Sequence, residues 1–282
     1  MASAAHVLHH DESRSKVSQT AFGVATFRAL ETAKSDALIN DPFASLFHCP
    51  ESAEWIQSLA LNETKYDSMV TGIGIRTLKI DQEIANALHQ SIDQVVVLGA
   101  GLDCRPWRIS NNQDMKDIEL RNITWFEIDF AEVFDYKLNT LATANACTPF
   151  QYYNVAANTA VDNWTQKLQD TGYDATKPAI WLLEGFTGYL TEEELSKTMH
   201  DIASRSAKNS VLIATFLGNN YFAATAMHRF LTDKPLEFLE KWSWGNGKQE
   251  EMNQICKFHN REAHGENWNA YYFVVASLIQ CL

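Results

Sequence analysis

Gly99 and Gly101, separated only by Ala100, end the apolar run VVVL that begins at residue 95. A β-branched run stopped by Gly-Ala-Gly reads as a buried parallel strand entering a tight turn, and such turns hold nucleotide-like cofactors. The glycines give access. Without a Cβ the backbone takes up unusual angles, and a ribose or amino-acid moiety lies directly against the main chain. A second apolar run, RNITWFEID, closes on Asp129, an acid suited to grip the two hydroxyls of a ribose.

After the two glycines, the next position of the dinucleotide fingerprint holds Cys104 and not a third glycine. That argues against a dehydrogenase, which uses the third glycine for close packing of helix on strand beside a pyrophosphate. A cofactor with a ribose and no phosphate fits better, and S-adenosylmethionine is such a cofactor.

These residues need elements to position them. Residues 11–33 and 51–90 read as helices joined by the turn-rich NDPF, with Asp41 and Pro42 punctuating the link. A strand at 94–98, a helix near 104–109 and a polar loop follow, then strand 123–128 and helix 131–145. Strand 150–155, helix 161–170, strand 178–184, helix 191–206 and strand 210–216 continue the alternation. Strands alternating with helices predict a parallel α/β sheet with right-handed crossovers. Beyond Phe216 the pattern predicts a helix over 219–241, a turn at WSWGNGK, and closing strands at 253–259 and 270–279.

In an open α/β sheet the ligand lies outside the carboxyl ends of the strands, where strand order reverses. The residues at those ends are Gly99, Gly101, Asp129, Asn158 and Glu184. Glu184 ends the strongly apolar AIWLL, where an acid is unusual unless paired and points into the site.

The blocks GAGLDCRPWR, FEIDFAEVFDYK and LLEGFTGYLTEEEL, preceded by TAFGVATFRALET, INDPFA and IGIRTLKID, carry a resemblance. They resemble the class I S-adenosylmethionine-dependent methyltransferases of the leucine carboxyl methyltransferase and tetracenomycin-type polyketide O-methyltransferase family. The resemblance runs in order from about Thr20 to the end of the chain. It implies a Rossmann-like α/β fold with a mostly parallel seven-stranded sheet flanked by helices, an N-terminal helical cap, and S-adenosyl-L-methionine as cofactor. On this resemblance Arg76 pairs with the carboxylate of the methionine part of the cofactor, as a guanidinium can with two parallel hydrogen bonds. Lys16 faces the same cofactor, and Glu184 lies near its amino-acid and sulfonium part.

Asn158 stands where the family more often has an aspartate that contacts the adenine ring. Its amide oxygen can accept from the adenine amino group, and it can equally be a plain turn residue. Arg105 reads as structural, tying the turn to the acidic strand ends, and Cys104 as a small buried thiol.

At 282 residues, with 46% hydrophobic and 11% aromatic content, the chain can bury one large core. The expected division is a helical cap region at 1–92 and a Rossmann-like core at 93–282, within one structural domain. A net charge of −12 without a basic stripe argues against a nucleic-acid partner. No run is long enough to span a bilayer, and the residues around His6, His9 and His10 hold no signal-peptide core, which predicts a soluble cytoplasmic protein without membrane contact. The five cysteines, Cys49, Cys104, Cys147, Cys256 and Cys281, form no CxxC pair, predicting reduced thiols and no metal site.

Methyl transfer from a sulfonium is an in-line displacement with a good leaving group, so alignment of the acceptor and exclusion of water matter most. A carboxylate acceptor is already ionised at neutral pH, whereas a phenol, alcohol or amine needs a base such as His228, His200 or Tyr189. None of the three has a recognisable partner in the sequence, so no catalytic residue is assigned. The acceptor pocket is expected between the cap and FLGNNYFAATAMHRFL. There Phe216, Tyr221, Phe222, Met227 and Phe230 suit a small lipophilic molecule, or form the core face of a helix. Three readings stay open: O-methylation of a carboxylate or hydroxyl of a secondary metabolite, methylation of a protein C-terminal carboxylate, and a non-catalytic cofactor-binding regulator.

Overall fold

The computed structural model describes residues 19–48, 52, 63–221, 227–261 and 270–280. Lys16, Phe222, Cys49 and Cys281 lie outside the described residues.

The apolar runs form the strands β1 (Gln94–Leu98), β2 (Thr124–Asp129), β3 (Gln151–Ala156), β4 (Ala179–Leu183) and β5 (Val211–Leu217). With β6 (Trp244–Glu251) and β7 (Tyr271–Leu278) they build one seven-stranded sheet in the order β3-β2-β1-β4-β5-β7-β6. The first five pair in parallel, and β7 runs antiparallel to both β5 and β6. The chain winds outward from β1 to β3, then crosses back to lay β4 on the other side of β1. Strand order therefore reverses between β1 and β4, which leaves a crevice beyond their carboxyl ends.

Both central strands are buried along their whole length, which is why their sequences are apolar without alternation. Val96 and Leu98 face one core with Trp181, Leu183 and Phe216. Val95 and Val97 face the other with Trp125, Ile180 and Leu182. Helices α1 (Gln19–Thr32), α2 (Glu63–His89), α3 (Arg105–Arg108), α4 (Ala131–Thr143), α5 (Trp164–Asp170), α6 (Glu192–Ser204), α7 (Pro235–Glu240) and α8 (Met252–Phe258) complete the described elements with short 3-10 turns. Helix α6 begins at a capping box: Thr191 Oγ1 accepts the Glu194 N–H while the Glu194 carboxylate accepts the Thr191 N–H. Among the described residues no helix is long and apolar enough to cross a membrane.

The C-terminal third departs from the sequence expectations. WSWGNGK is not a plain turn, since Trp244 opens β6, and a register shift between Gly245 and Lys248 accommodates the positive φ of Asn246. Pairing with β7 overrides the turn-forming composition. Residues 252–258 form α8 and not a strand, burying Met252, Ile255 and Cys256 at helical spacing. Of the helix expected over 219–241, the described residues are helical only at Pro235–Glu240.

Candidate cofactor and acceptor site

The turn after β1 is shaped by its glycines. Gly99 and Gly101 hold φ of +66° and +52°, angles that side-chain-bearing residues disfavour. The Gly99 N–H donates to the Ile128 carbonyl at 2.9 Å, which continues the β1–β2 pairing into the turn. Asp129, at the end of β2, accepts the Gly101 N–H on Oδ2 and the Phe130 N–H on Oδ1, both at 2.7 Å. Each oxygen keeps a second lone pair for a ligand hydroxyl. Burial raises the pKa of this carboxyl against the lowering effect of those two bonds. Next to it Phe130 is 52% exposed, an unusual position for a phenylalanine, and it borders the same strand end.

Asn158 lies just past the end of β3, which pairs Ala156 with Asp129. Its side-chain oxygen accepts the Ala160 N–H at 3.0 Å, and its own N–H donates to Asp162 at 2.9 Å. The residue thus builds the turn after β3, as Asn does by its own chemistry.

Glu184, one residue beyond β4, is the centre of a buried ion cluster. Its Oε1 accepts from Arg76 Nε at 2.7 Å and Arg28 Nη2 at 2.9 Å, and its Oε2 accepts from Arg105 Nη1. Arg105 also donates to Asp81 and Asp103, each at 2.6 Å, and Arg108 is bound by Asp81 at 2.6 Å and Asp41 at 3.1 Å. Four guanidiniums thus face four carboxylates, all nearly closed to solvent. Such an array is stable only because each charge is matched and hydrogen-bonded. Burial by itself would raise the pKa of Glu184, but Arg105, Arg76 and Arg28 outweigh it and hold the carboxyl well below the usual range.

Arg76 reaches Glu184 from α2 and donates with Nη1 to Tyr271 Oη at 3.0 Å. Arg28, absent from the sequence-based candidates, also reaches Glu184, from α1. Its signal was there to find: a cation in the apolar helix text TAFGVATFRALET, only 4% exposed in the fold. Cys104 is fully buried, and burial first of all pushes its thiol well above its ordinary value, which disfavours the reactive thiolate.

A cavity of about 140 Å³ adjoins Arg76 and Gly185. Val24 and Phe27 of α1, Met69 and Ile73 of α2, and the segments after β4 and β5 wall it. Tyr221 and Met227 line it as expected, but Phe216 and Phe230 do not. On β5 the alternate residues Thr215 and Leu217 face the cavity, so Phe216 points to the opposite side and packs on Phe238, as does Phe230. His228 and Tyr189 both line the cavity, whereas His200 is exposed on α6 beside Trp242.

This strand order, a glycine turn after β1 and an acid at the end of β2 define a Rossmann-like fold of the class I methyltransferase type. Solved structures share the fold. A Streptomyces avermitilis protein of the duf574 family matches with a TM-score of 0.62 at 14% identity, over 90% of this chain and 96% of that one. A Thermobifida fusca protein assigned as a methyltransferase matches with 0.58 at 11% identity, over 91% and 94%. The family model described as leucine carboxyl methyltransferase matches residues 21–203. Proteins assigned as S-adenosyl-L-methionine-dependent methyltransferases are similar to it in sequence. One from Mycobacterium tuberculosis H37Rv is 32% identical over 219 residues, 74% of this chain and 70% of its own. One from Mycobacteroides abscessus is 27% identical over 296 residues, 93% and 96% of the two chains. The chain belongs to the leucine carboxyl methyltransferase family and is an S-adenosylmethionine-dependent methyltransferase.

Proposed function

We propose that this methyltransferase acts on an oxygen, carboxylate or hydroxyl, of a small organic molecule by in-line displacement. The cavity beside Arg76 and Gly185 carries this reading: it adjoins the strand-end site and is walled mainly by apolar side chains, so an acceptor there would be held close and dry.

The residues at the strand ends fit S-adenosylmethionine. Gly99, Ala100 and Gly101 offer bare backbone where a Cβ on Gly99 would collide with Phe186, and Asp129 keeps acceptor capacity for the ribose hydroxyls. Phe130 offers a ring face to the adenine, with Asn158 closing the turn beside it. Arg76 takes the methionine carboxylate. Glu184, kept ionised by its three arginines, offsets the sulfonium charge. When bound, the cofactor supplies a methyl carbon on a sulfonium. The chain binds it, orients the acceptor and excludes water.

The same reading makes the acceptor a secondary metabolite and the compartment the reducing cytoplasm, in keeping with the free buried Cys104 and Cys256. Isothermal titration should give binding of S-adenosylmethionine and none of NAD. Incubation with labelled cofactor and a host extract should then label a product of low mass. Label confined to a protein band would overturn the small-molecule reading in favour of a protein carboxyl acceptor.

A further inference from the structure

His228 stands on a fixed piece of backbone at the cavity wall. The N–H groups of Arg229 and Phe230 donate to the Gly188 carbonyl at 2.7 and 3.4 Å, and Arg229 Nε donates to the Tyr189 carbonyl at 2.9 Å. The Arg229 guanidinium is further tied to Glu194 at 2.8 Å, and Phe230 is buried against Phe238. These anchors bring the imidazole to 5.2 Å from the Tyr189 ring and so close to Gly188 that a Cβ there would stand 3.2 Å from its Cδ2.

The charges around the cavity narrow what it can accept. Among the described residues its wall has one cation, Arg76, already donating to Glu184 and Tyr271, and no carboxylate. Its other polar side chains are threonine and tyrosine hydroxyls and His228 itself. Among the described lining residues, no second cation would receive a carboxylate acceptor that gives up its hydration, and no anion would receive an ammonium. A neutral hydroxyl loses far less on entering, and it must shed a proton as it is methylated.

Resting on the small-molecule reading above, we propose that the acceptor is an uncharged, mainly apolar molecule methylated on a phenolic or alcoholic hydroxyl, with His228 as the base. The acceptor oxygen bonds to the methyl carbon while the carbon–sulfur bond breaks and leaves its electron pair on sulfur. The hydroxyl proton passes to a ring nitrogen of His228, and the imidazolium then gives it to water. Burial lowers the His228 pKa from its ordinary value, so the ring is neutral and able to accept at pH 7. Among the described residues, the titratable and charged groups sharing the cavity with it are Tyr189, Tyr221, Tyr271 and Arg76, while Arg229 is turned to Tyr189 and Glu194.

Binding is read first, on protein saturated with S-adenosylhomocysteine, using naphthol and naphthoate as matched probes at neutral pH. Naphthol should bind at least about tenfold more tightly, a difference of about 1.4 kcal/mol. No naphthol binding, or a preference for naphthoate, overturns the proposal. The low-mass product labelled from the host extract should resist mild alkali, as a methyl ether does. An alkali-labile methyl ester would keep the small-molecule reading and sink this one, whereas label on protein alone would sink the earlier reading itself. His228→Gln should slow formation of that ether by about 100-fold or more, remove the acidic limb of the pH–rate profile, and leave cofactor and naphthol affinity within about threefold. An unchanged rate and profile in that variant also refutes the role of His228.

Discussion

Asp129 Oδ2 accepts the Gly101 N–H at 2.7 Å, so the acid that ends β2 also holds the turn that ends β1. On the proposed assignment, one carboxylate couples the ribose acceptor to the backbone on which the rest of the cofactor would lie. Asp129→Ala removes both functions. S-adenosylmethionine affinity should fall by about 1–3 kcal/mol, the usual cost of leaving buried polar groups unpaired. Titration calorimetry on the folded variant checks this, and an unchanged affinity would count against the ribose assignment.

The two glycines of the turn should respond differently to a methyl group. Both sit at positive φ, where a side chain costs about 1–2 kcal/mol. A Cβ on Gly101 meets only Ala21 Cβ at 3.7 Å, whereas one on Gly99 would lie 2.7 Å from Phe186 Cδ2. Denaturant unfolding should therefore show a greater loss for Gly99→Ala than for Gly101→Ala. Adding Phe186→Ala should recover part of the difference in a double-mutant cycle. Equal losses for the two glycines would contradict the contact.

The parts of this site that end strands were legible in the sequence, because a buried parallel strand has an apolar text and stops abruptly at a glycine or an acid. Gly99, Gly101, Asp129 and Glu184 all follow that rule. Arg28 was not legible, since its meaning lies in meeting Glu184 across 156 residues, and its helix reads locally as core. The edge strand β6 was hidden for another reason: it is half exposed, carries two glycines, and owes its conformation to pairing with β7. Helix α8 was misread from its apolar residues, although Met252, Ile255 and Cys256 already repeat at helical spacing.

Glu184 is the shared acceptor of three guanidiniums, so its removal should cost more than a surface ion pair. Glu184→Gln keeps the shape and leaves Arg28, Arg76 and Arg105 without their common charge. Breaking a buried pair in this way costs about 3–5 kcal/mol. Arg28→Met should be similarly destabilising, and the double variant should lose less than the sum of the two because the partners then leave together. Chemical denaturation of the two single variants and the double variant decides it, and strict additivity would show that the cluster is not coupled.

Acid should abolish the response to cofactor before it unfolds the chain. Burial is the leading influence on Asp103 as on Glu184, but the arginines overcome it and leave both carboxyls lowered. A lowered folded-state pKa means that the unfolded chain takes up these protons first. Their stabilisation is complete above the ordinary values of about 3.9 and 4.3 and is lost as pH falls through the lower folded-state values. Asp129 runs the other way, because burial raises its pKa in the folded state. On acidification the folded chain binds that proton first, which favours folding slightly but turns the proposed ribose acceptor into a donor. Thermal melts with and without S-adenosylmethionine, stepped from neutral pH downward, should thus lose the ligand-induced shift at a higher pH than that at which the free protein loses its stability. Coincidence of the two transitions would mean that Asp129 does not carry the ribose contact.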